Sequence, residues 1–139
     1  MIERNVNLKP FNTFGIAANA SRFSRFSSVE ELHSLLSEVG EDKLLILGGG
    51  SNVLFTENFD GVVLRNEITG IEVIQESDTE ILVKSGSGEV WHEFVMSCVD
   101  NDYGGIENLS LIPGSVGASP MQNIGAYGVE VKDIFESLE

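Results

Sequence analysis

Apolar residues recur with helical spacing in two places along this chain. In residues 28–39 the apolar positions 32, 35, 36 and 39 share one face of a 3.6-residue repeat, Ser28 with Glu31 makes a capping-box pattern, and Gly40 supplies a stop. In residues 89–100, Val90, Trp91, Phe94, Val95, Cys98 and Val99 line a second helix face, with Trp91 and Phe94 as the expected anchors in the core. Two stretches read as strands of a first unit. Leu44-Leu45-Ile46-Leu47 is a continuous apolar run, expected to be a buried strand, that breaks at once into Gly48-Gly49-Gly50, and Gly61-Val62-Val63-Leu64-Arg65 is the next. From Gly70 the pattern changes: Ile71, Val73 and Ile74 precede the polar Glu76-Ser77-Asp78-Thr79, and Ile81-Leu82-Val83 follow it, which predicts an antiparallel hairpin. The chain is therefore expected to divide into residues 1–67 and 68–139. Between Asn101 and Val129 no period appears, and a loop of that length is usually functional or disordered.

Composition changes this picture mainly by exclusion. The 139 residues are 42% hydrophobic, ordinary for a globular chain, and eight Lys and Arg stand against twenty-two Asp and Glu, a net charge of -14. So acidic a chain lacks the clustered cations that nucleic-acid phosphates demand, and no nucleic-acid partner is expected. A nucleotide is a different matter, because backbone N–H groups in glycine-rich turns hold a diphosphate without side-chain charge. No apolar run approaches the roughly 20 residues of a membrane-spanning helix. Met1-Ile2-Glu3-Arg4-Asn5 lacks the basic-then-apolar order of a secretory signal, so no membrane partner and a cytoplasmic location are expected. Cys98 stands alone, without a partner for a disulfide or a zinc site, and is expected in the core. His33 and His92 fall on the two predicted helices, where solvent-facing positions fit better than a metal site.

Three glycine-bearing segments could carry chemistry. Gly48-Gly49-Gly50-Ser51-Asn52-Val53-Leu54 follows a strand, permits positive φ and close approach of an anion to the main chain, and is a candidate diphosphate cradle. Val53 stands where a dinucleotide fingerprint would need glycine, and no Gly-Lys-Ser/Thr is present, so the segment matches neither that fingerprint nor a P-loop. A turn needing glycine for geometry alone is the alternative. Ser85-Gly86-Ser87-Gly88-Glu89 precedes the second helix, with Glu89 placed to satisfy the helix dipole, and reads first as structural. The third segment runs from Ile112 through Pro113, Gly114, Gly117, Ala118, Ser119, Gln122, Ile124 and Gly125 to Ala126 and on to Gly128. Its prolines fix shape and its small residues leave main-chain donors and acceptors free, which suits a flat ring with a polar edge; Ser119, Gln122 and Asn123 could supply that edge, and a purely structural loop is again the alternative. No Ser, His and Asp arrangement with nucleophile-elbow spacing stands in the sequence, and no paired carboxylates suggest acid–base work.

Asn12-Thr13-Phe14-Gly15-Ile16, Ile46 to Leu54, Gly86-Ser87-Gly88-Glu89-Val90-Trp91-His92 and the stretch from Glu107-Asn108-Leu109 to Gly128 together resemble, in family order, the UDP-N-acetylenolpyruvoylglucosamine reductases. The resemblance implies an α+β FAD-binding fold of the vanillyl-alcohol-oxidase and p-cresol-methylhydroxylase (PCMH) type, made of two small subdomains with the cofactor between them. It implies that residues 48–54 hold the FAD diphosphate and that 112–119 with 122–126 line its ribityl and isoalloxazine parts. In that family the flavin passes hydride from NADPH to the enolpyruvyl double bond of a UDP-sugar in peptidoglycan precursor synthesis, and the enzyme is a monomer. The arginine, glutamate and serine that carry the family's chemistry, and its substrate-binding domain, have no counterpart here. The expectation is therefore a truncated piece, flavin-binding in part and without turnover; a non-catalytic nucleotide-binding or assembly module is the alternative.

Overall fold

The computed structural model describes residues Met1–Glu139, which separate into two compact units, Met1–Ile68 and Thr69–Glu139. Helices and sheets are mixed in an α+β arrangement, and no helix is long and apolar enough to cross a membrane.

The first unit is a four-stranded sheet built from β1 (Glu3–Asn7), β2 (Asn19–Phe26), β3 (Leu44–Leu47) and β4 (Phe59–Asn66), in the order β1-β2-β4-β3. β1 runs antiparallel to β2, whereas β2 and β3 both run parallel to β4. Val62, Val63 and Leu64 in the central β4 are fully buried, which is why that strand reads as an unbroken apolar run. On one face Phe26, Val62 and Leu64 pack with Leu35 and Val39 of helix α1 (Val29–Val39); on the other Phe23, Leu47 and Val63 pack with Leu8, Ala18 and Phe55. The expected capping of α1 is present in altered form. Ser28 Oγ accepts the Glu31 N–H at 3.1 Å, but the Glu31 carboxylate reaches one residue further back and accepts from Ser27 N at 2.7 Å.

Two strands of this sheet are absent from the pattern read above, and a third differs from it. β1 (Glu-Arg-Asn-Val-Asn) is an edge strand with one half-buried residue, Val6. In β2 a register shift between Ala20 and Arg22 breaks the alternation, so the buried residues fall at Ala20, Phe23, Ser24 and Phe26 instead of every second position. The Leu44–Leu47 run was expected to be buried, yet it pairs on one side only and leaves Leu44 and Ile46 39% and 47% exposed.

The second unit carries the expected hairpin, β5 (Ile71–Glu76) with β6 (Ile81–Ser85), as a two-stranded ribbon with every β5 residue exposed. Helix α2 (Trp91–Asp100) buries Trp91, Phe94, Val95 and Cys98 against Ile106, Leu109, Ile124 and Val131. Half of that core therefore comes from the aperiodic stretch and the residues just after it. The stretch is ordered by 3-10 turns at Glu107–Leu109, Val116–Ala118 and Pro120–Gln122 and by a miniature hairpin, β7 (Gly125–Ala126) with β8 (Val129–Glu130). Tyr127 and Gly128 turn this hairpin with φ of 53° and 83°, the paired positive values of a type I′ turn.

Candidate functional site

In the first unit, residues 48–54 leave the carboxyl end of β3 and run as bends and a turn, without a helix behind them. Of the three glycines only Gly50 takes positive φ, at 66°, and it is buried. A Cβ there would lie 2.1 Å from the Phe11 carbonyl oxygen, so glycine is required for both conformation and space. The loop is tied to the amino-terminal segment, since Thr13 N–H donates to Gly50 O at 3.1 Å. That segment is stapled in turn by buried Asn12, whose Nδ2 donates to Leu8 O and Ile16 O at 2.8 and 3.0 Å and whose Oδ1 accepts from Ile16 N at 3.0 Å. Val53 packs toward the core, Ser51 is half-buried, and Gly49, Asn52 and Leu54 face solvent. The cradle is a fixed backbone bend with an accessible outer rim.

In the second unit the structure joins two segments that the sequence presents separately. Gly117 N–H donates to Ser87 O at 2.8 Å and Val116 N–H to Glu89 O at 2.9 Å, while Trp91 N–H donates to Gly114 O at 3.0 Å. A Cβ on Gly117 would come within 2.7 Å of Ser87 Cβ, so the 85–89 turn and the 112–119 loop are zipped at van der Waals contact. Glu89 does not cap α2 as expected. Its Oε1 accepts the Gly70 N–H at 2.7 Å, and the N-cap residue of the helix, Val90, makes no side-chain cap. His92 likewise is not the solvent-facing residue expected: it is half-buried, and its Nδ1 accepts the Leu111 N–H at 3.1 Å. Together with Trp91 Nε1, which donates to Leu109 O at 2.8 Å, it fastens the loop to the helix. Cys98 is buried as expected, and burial pushes its thiol pKa up.

An open depression of about 830 Å³ lies in this unit, lined by Ile112, Gln122, Ile124, Gly125 and Ala126 among others. It brings together Ile112, Gln122, Asn123, Ile124, Gly125 and Ala126 of the third segment. Pro113, Gly114, Gly117, Ala118 and Ser119 are not part of its lining. Ser119 is buried with its hydroxyl donating to Val116 O at 2.8 Å, and Asn123 holds the miniature hairpin, its Nδ2 donating to Glu130 Oε2 at 3.1 Å and its Oδ1 accepting the Lys132 N–H at 3.3 Å. Ser119 shapes the loop from within, while exposed Asn123 ties the hairpin and also lines the depression. Lys132, Glu130 and Asp133 also line the depression and were missed, because they follow Gly128, where the glycine-rich composition ends. Lys132 pairs with Glu130, and this pairing with the Asn123 hydrogen bond holds the Glu130 carboxyl below the ordinary range. Small residues on a hairpin face Ile112 and Ile124, with charge at one edge, and the size is within the roughly 300–1,000 Å³ of small-molecule sites.

The FAD binding domain family matches residues 20–139, a span that includes all three glycine-bearing segments. The chain belongs to the FAD binding domain family. Curated relatives extend the likeness to the whole chain: a UDP-N-acetylenolpyruvoylglucosamine reductase of Flavobacterium johnsoniae is 52% identical over 136 residues, covering 98% of this chain and 40% of its own length. One from Bacteroides fragilis is 49% identical over 139 residues, covering 99% of this chain and 42% of its own. The chain thus spans about two fifths of the length of these relatives. Among solved structures, the MurB reductase of Thermus caldophilus superposes with a TM-score of 0.72 at 24% identity, over 96% of this chain and 46% of that one. The architecture is the PCMH type of FAD-binding fold, as expected from the sequence.

Proposed function

We propose that this chain is the FAD-binding part of a UDP-N-acetylenolpyruvoylglucosamine reductase, with Met1–Ile68 and Thr69–Glu139 as its first and second cofactor-binding subdomains. One observation carries the reading: the FAD binding domain family spans residues 20–139, so both the 48–54 bend and the 112–126 loop fall inside a chain segment of flavin-binding descent. In this reading Gly48 to Leu54 hold the diphosphate through main-chain N–H groups, with Gly50 fixing the bend. Ile112, Gln122, Ile124, Gly125 and Ala126 receive the isoalloxazine, and Pro113, Gly114, Gly117, Ala118 and Ser119 set the shape of the wall beside it. Bound FAD supplies two-electron transfer between NADPH and the enolpyruvyl double bond of the UDP-sugar. The residues of this chain bind and orient the cofactor; none stands ready to hold or move a proton for the substrate. The enzyme works in the cytoplasm, as a monomer, on peptidoglycan precursors.

The test is to titrate the 139-residue chain with FAD, following flavin fluorescence, and then to add NADPH and UDP-N-acetylglucosamine enolpyruvate. Saturable quenching without NADPH oxidation is expected. Sustained oxidation would place the chemistry inside this chain, and no quenching at any concentration would favour a non-flavin module.

A further inference from the structure

Arg25 and Arg65 stand outside the glycine-bearing segments. They lie directly opposite each other on the parallel strands β2 and β4, and Arg65 is in turn opposite Leu47, the residue before Gly48. Both guanidinium groups sit over one aromatic platform. The Arg25 Cζ lies 5.3 Å from the Phe11 ring centroid and the Arg65 Cζ 5.1 Å from it, while Phe11 is itself stacked on Phe23 with centroids 4.8 Å apart. Phe11 is also the residue whose carbonyl oxygen presses on Gly50. The basic pair and the glycine bend therefore share one support, at the end of the sheet where the parallel strands deliver their carboxyl termini.

Charge is out of balance there. A single carboxylate, Glu67, serves both arginines through the same oxygen, at 3.4 Å from Arg25 Nη1 and 3.1 Å from Arg65 Nε. Two planar cations facing one anion leave a surplus positive charge in a protein of net charge -14. A fork of N–H donors seated over an aromatic ring suits paired oxygens, and matches a phosphate better than a lysine would. The side chains are 52% and 30% exposed, so both can be reached from solvent.

We propose that Arg25 and Arg65, mounted on Phe11, form the cationic wall of the diphosphate site whose floor is the 48–54 bend. This rests on the nucleotide reading of that bend and adds a side-chain contribution to a cradle otherwise made of backbone. The ligand class is a diphosphate ester, and Glu67 is an internal competitor that the diphosphate displaces.

Calorimetric titration of the full chain with inorganic pyrophosphate, ADP, adenosine and FAD at low and moderate salt tests it. Arg25→Gln with Arg65→Gln should weaken pyrophosphate and ADP on the order of tenfold or more and flatten their salt dependence, with adenosine unchanged. Glu67→Gln should tighten both several-fold. Arg25→Lys with Arg65→Lys, which keeps the charge but not the fork, should retain the salt dependence at lower affinity and serves if the glutamine pair proves unfolded by circular dichroism. If the glutamine pair, or in its place the lysine pair, binds FAD and ADP like the unaltered chain, the arginine wall is overturned while the FAD reading stands. Pyrophosphate binding that depends on the arginines in a chain that ignores FAD would do the reverse. A chain that binds none of the phosphate probes overturns both.

Discussion

In Met1–Ile68 the glycine bend hangs from a four-stranded sheet covered on both faces, whereas in Thr69–Glu139 the aperiodic stretch supplies Ile106, Leu109 and Ile124 to the core itself. The charge differs as much: six Lys and Arg against nine Asp and Glu in the first unit, two against thirteen in the second. A loop carried by a scaffold can change its rim residues without touching the packing beneath. A loop that forms its own core cannot, so in the second unit the candidate binding residues and the stability residues are neighbours on one short segment. The first unit keeps its candidate site apart from its core, and the second merges the two.

That contrast yields a graded series. Trp91→Ala should be the most damaging, because it removes the anchor of the second unit's core and its bond to Leu109 O; a loss of about 3–5 kcal/mol is expected, read by urea denaturation and by the amide signals of Ser87 and Gly117. Retention of those signals would show that the loop orders itself without the helix. Gly50→Ala follows at about 3 kcal/mol, from left-handed backbone strain and from overpacking against Phe11, measured by the same denaturation. Ser28→Ala should cost about 1 kcal/mol by loss of the α1 cap, seen as a lower thermal midpoint. Gly128→Asn should fall within about 0.5 kcal/mol, since asparagine tolerates positive φ and nothing stands within 4 Å of the added Cβ.

Acid gives the smallest effect and touches both units. Hydrogen bonds to Ser27 hold the Glu31 carboxyl below its ordinary range in the first, and backbone N–H groups at Glu107 and Gly105 do the same for Glu107 in the second. Both folded values are depressed. Their stabilisation is therefore complete above the ordinary carboxylate pKa of about 4.3 and fades as pH falls from there through the folded values. Thermal melts between about pH 6 and pH 3 should show Glu31→Gln and Glu107→Gln each flattening part of this acid limb; an unchanged limb would remove both contacts from the account.

How much of this was legible follows the same division. Helices α1 and α2, β3, β4 and the β5–β6 hairpin declare themselves by period, because their burial pattern is local. β2 does not, since its shifted register spaces Ala20, Phe23 and Phe26 three apart. The edge position of β3 is a property of the sheet order, invisible in a run of four apolar residues. The 48–54 and 112–126 segments were found from composition, yet that signal could not tell lining residues such as Gln122 from inward supports such as Ser119, because both are small or polar. Arg25, Arg65 and Lys132 escaped because each lies outside the glycine-bearing segments and is brought to its partners through strand register or a tight turn.

The buried thiol of Cys98 has a practical corollary. It is the chain's sole cysteine, seated on α2 beneath the loop residues that share its core, where burial further disfavours the thiolate. A thiol-modifying reagent can reach it only when the helix lifts or the loop peels back, so the rate of labelling clocks that excursion without any engineered probe. Ligands that seal the 830 Å³ depression should slow the clock; those held only by the 48–54 bend should leave it running.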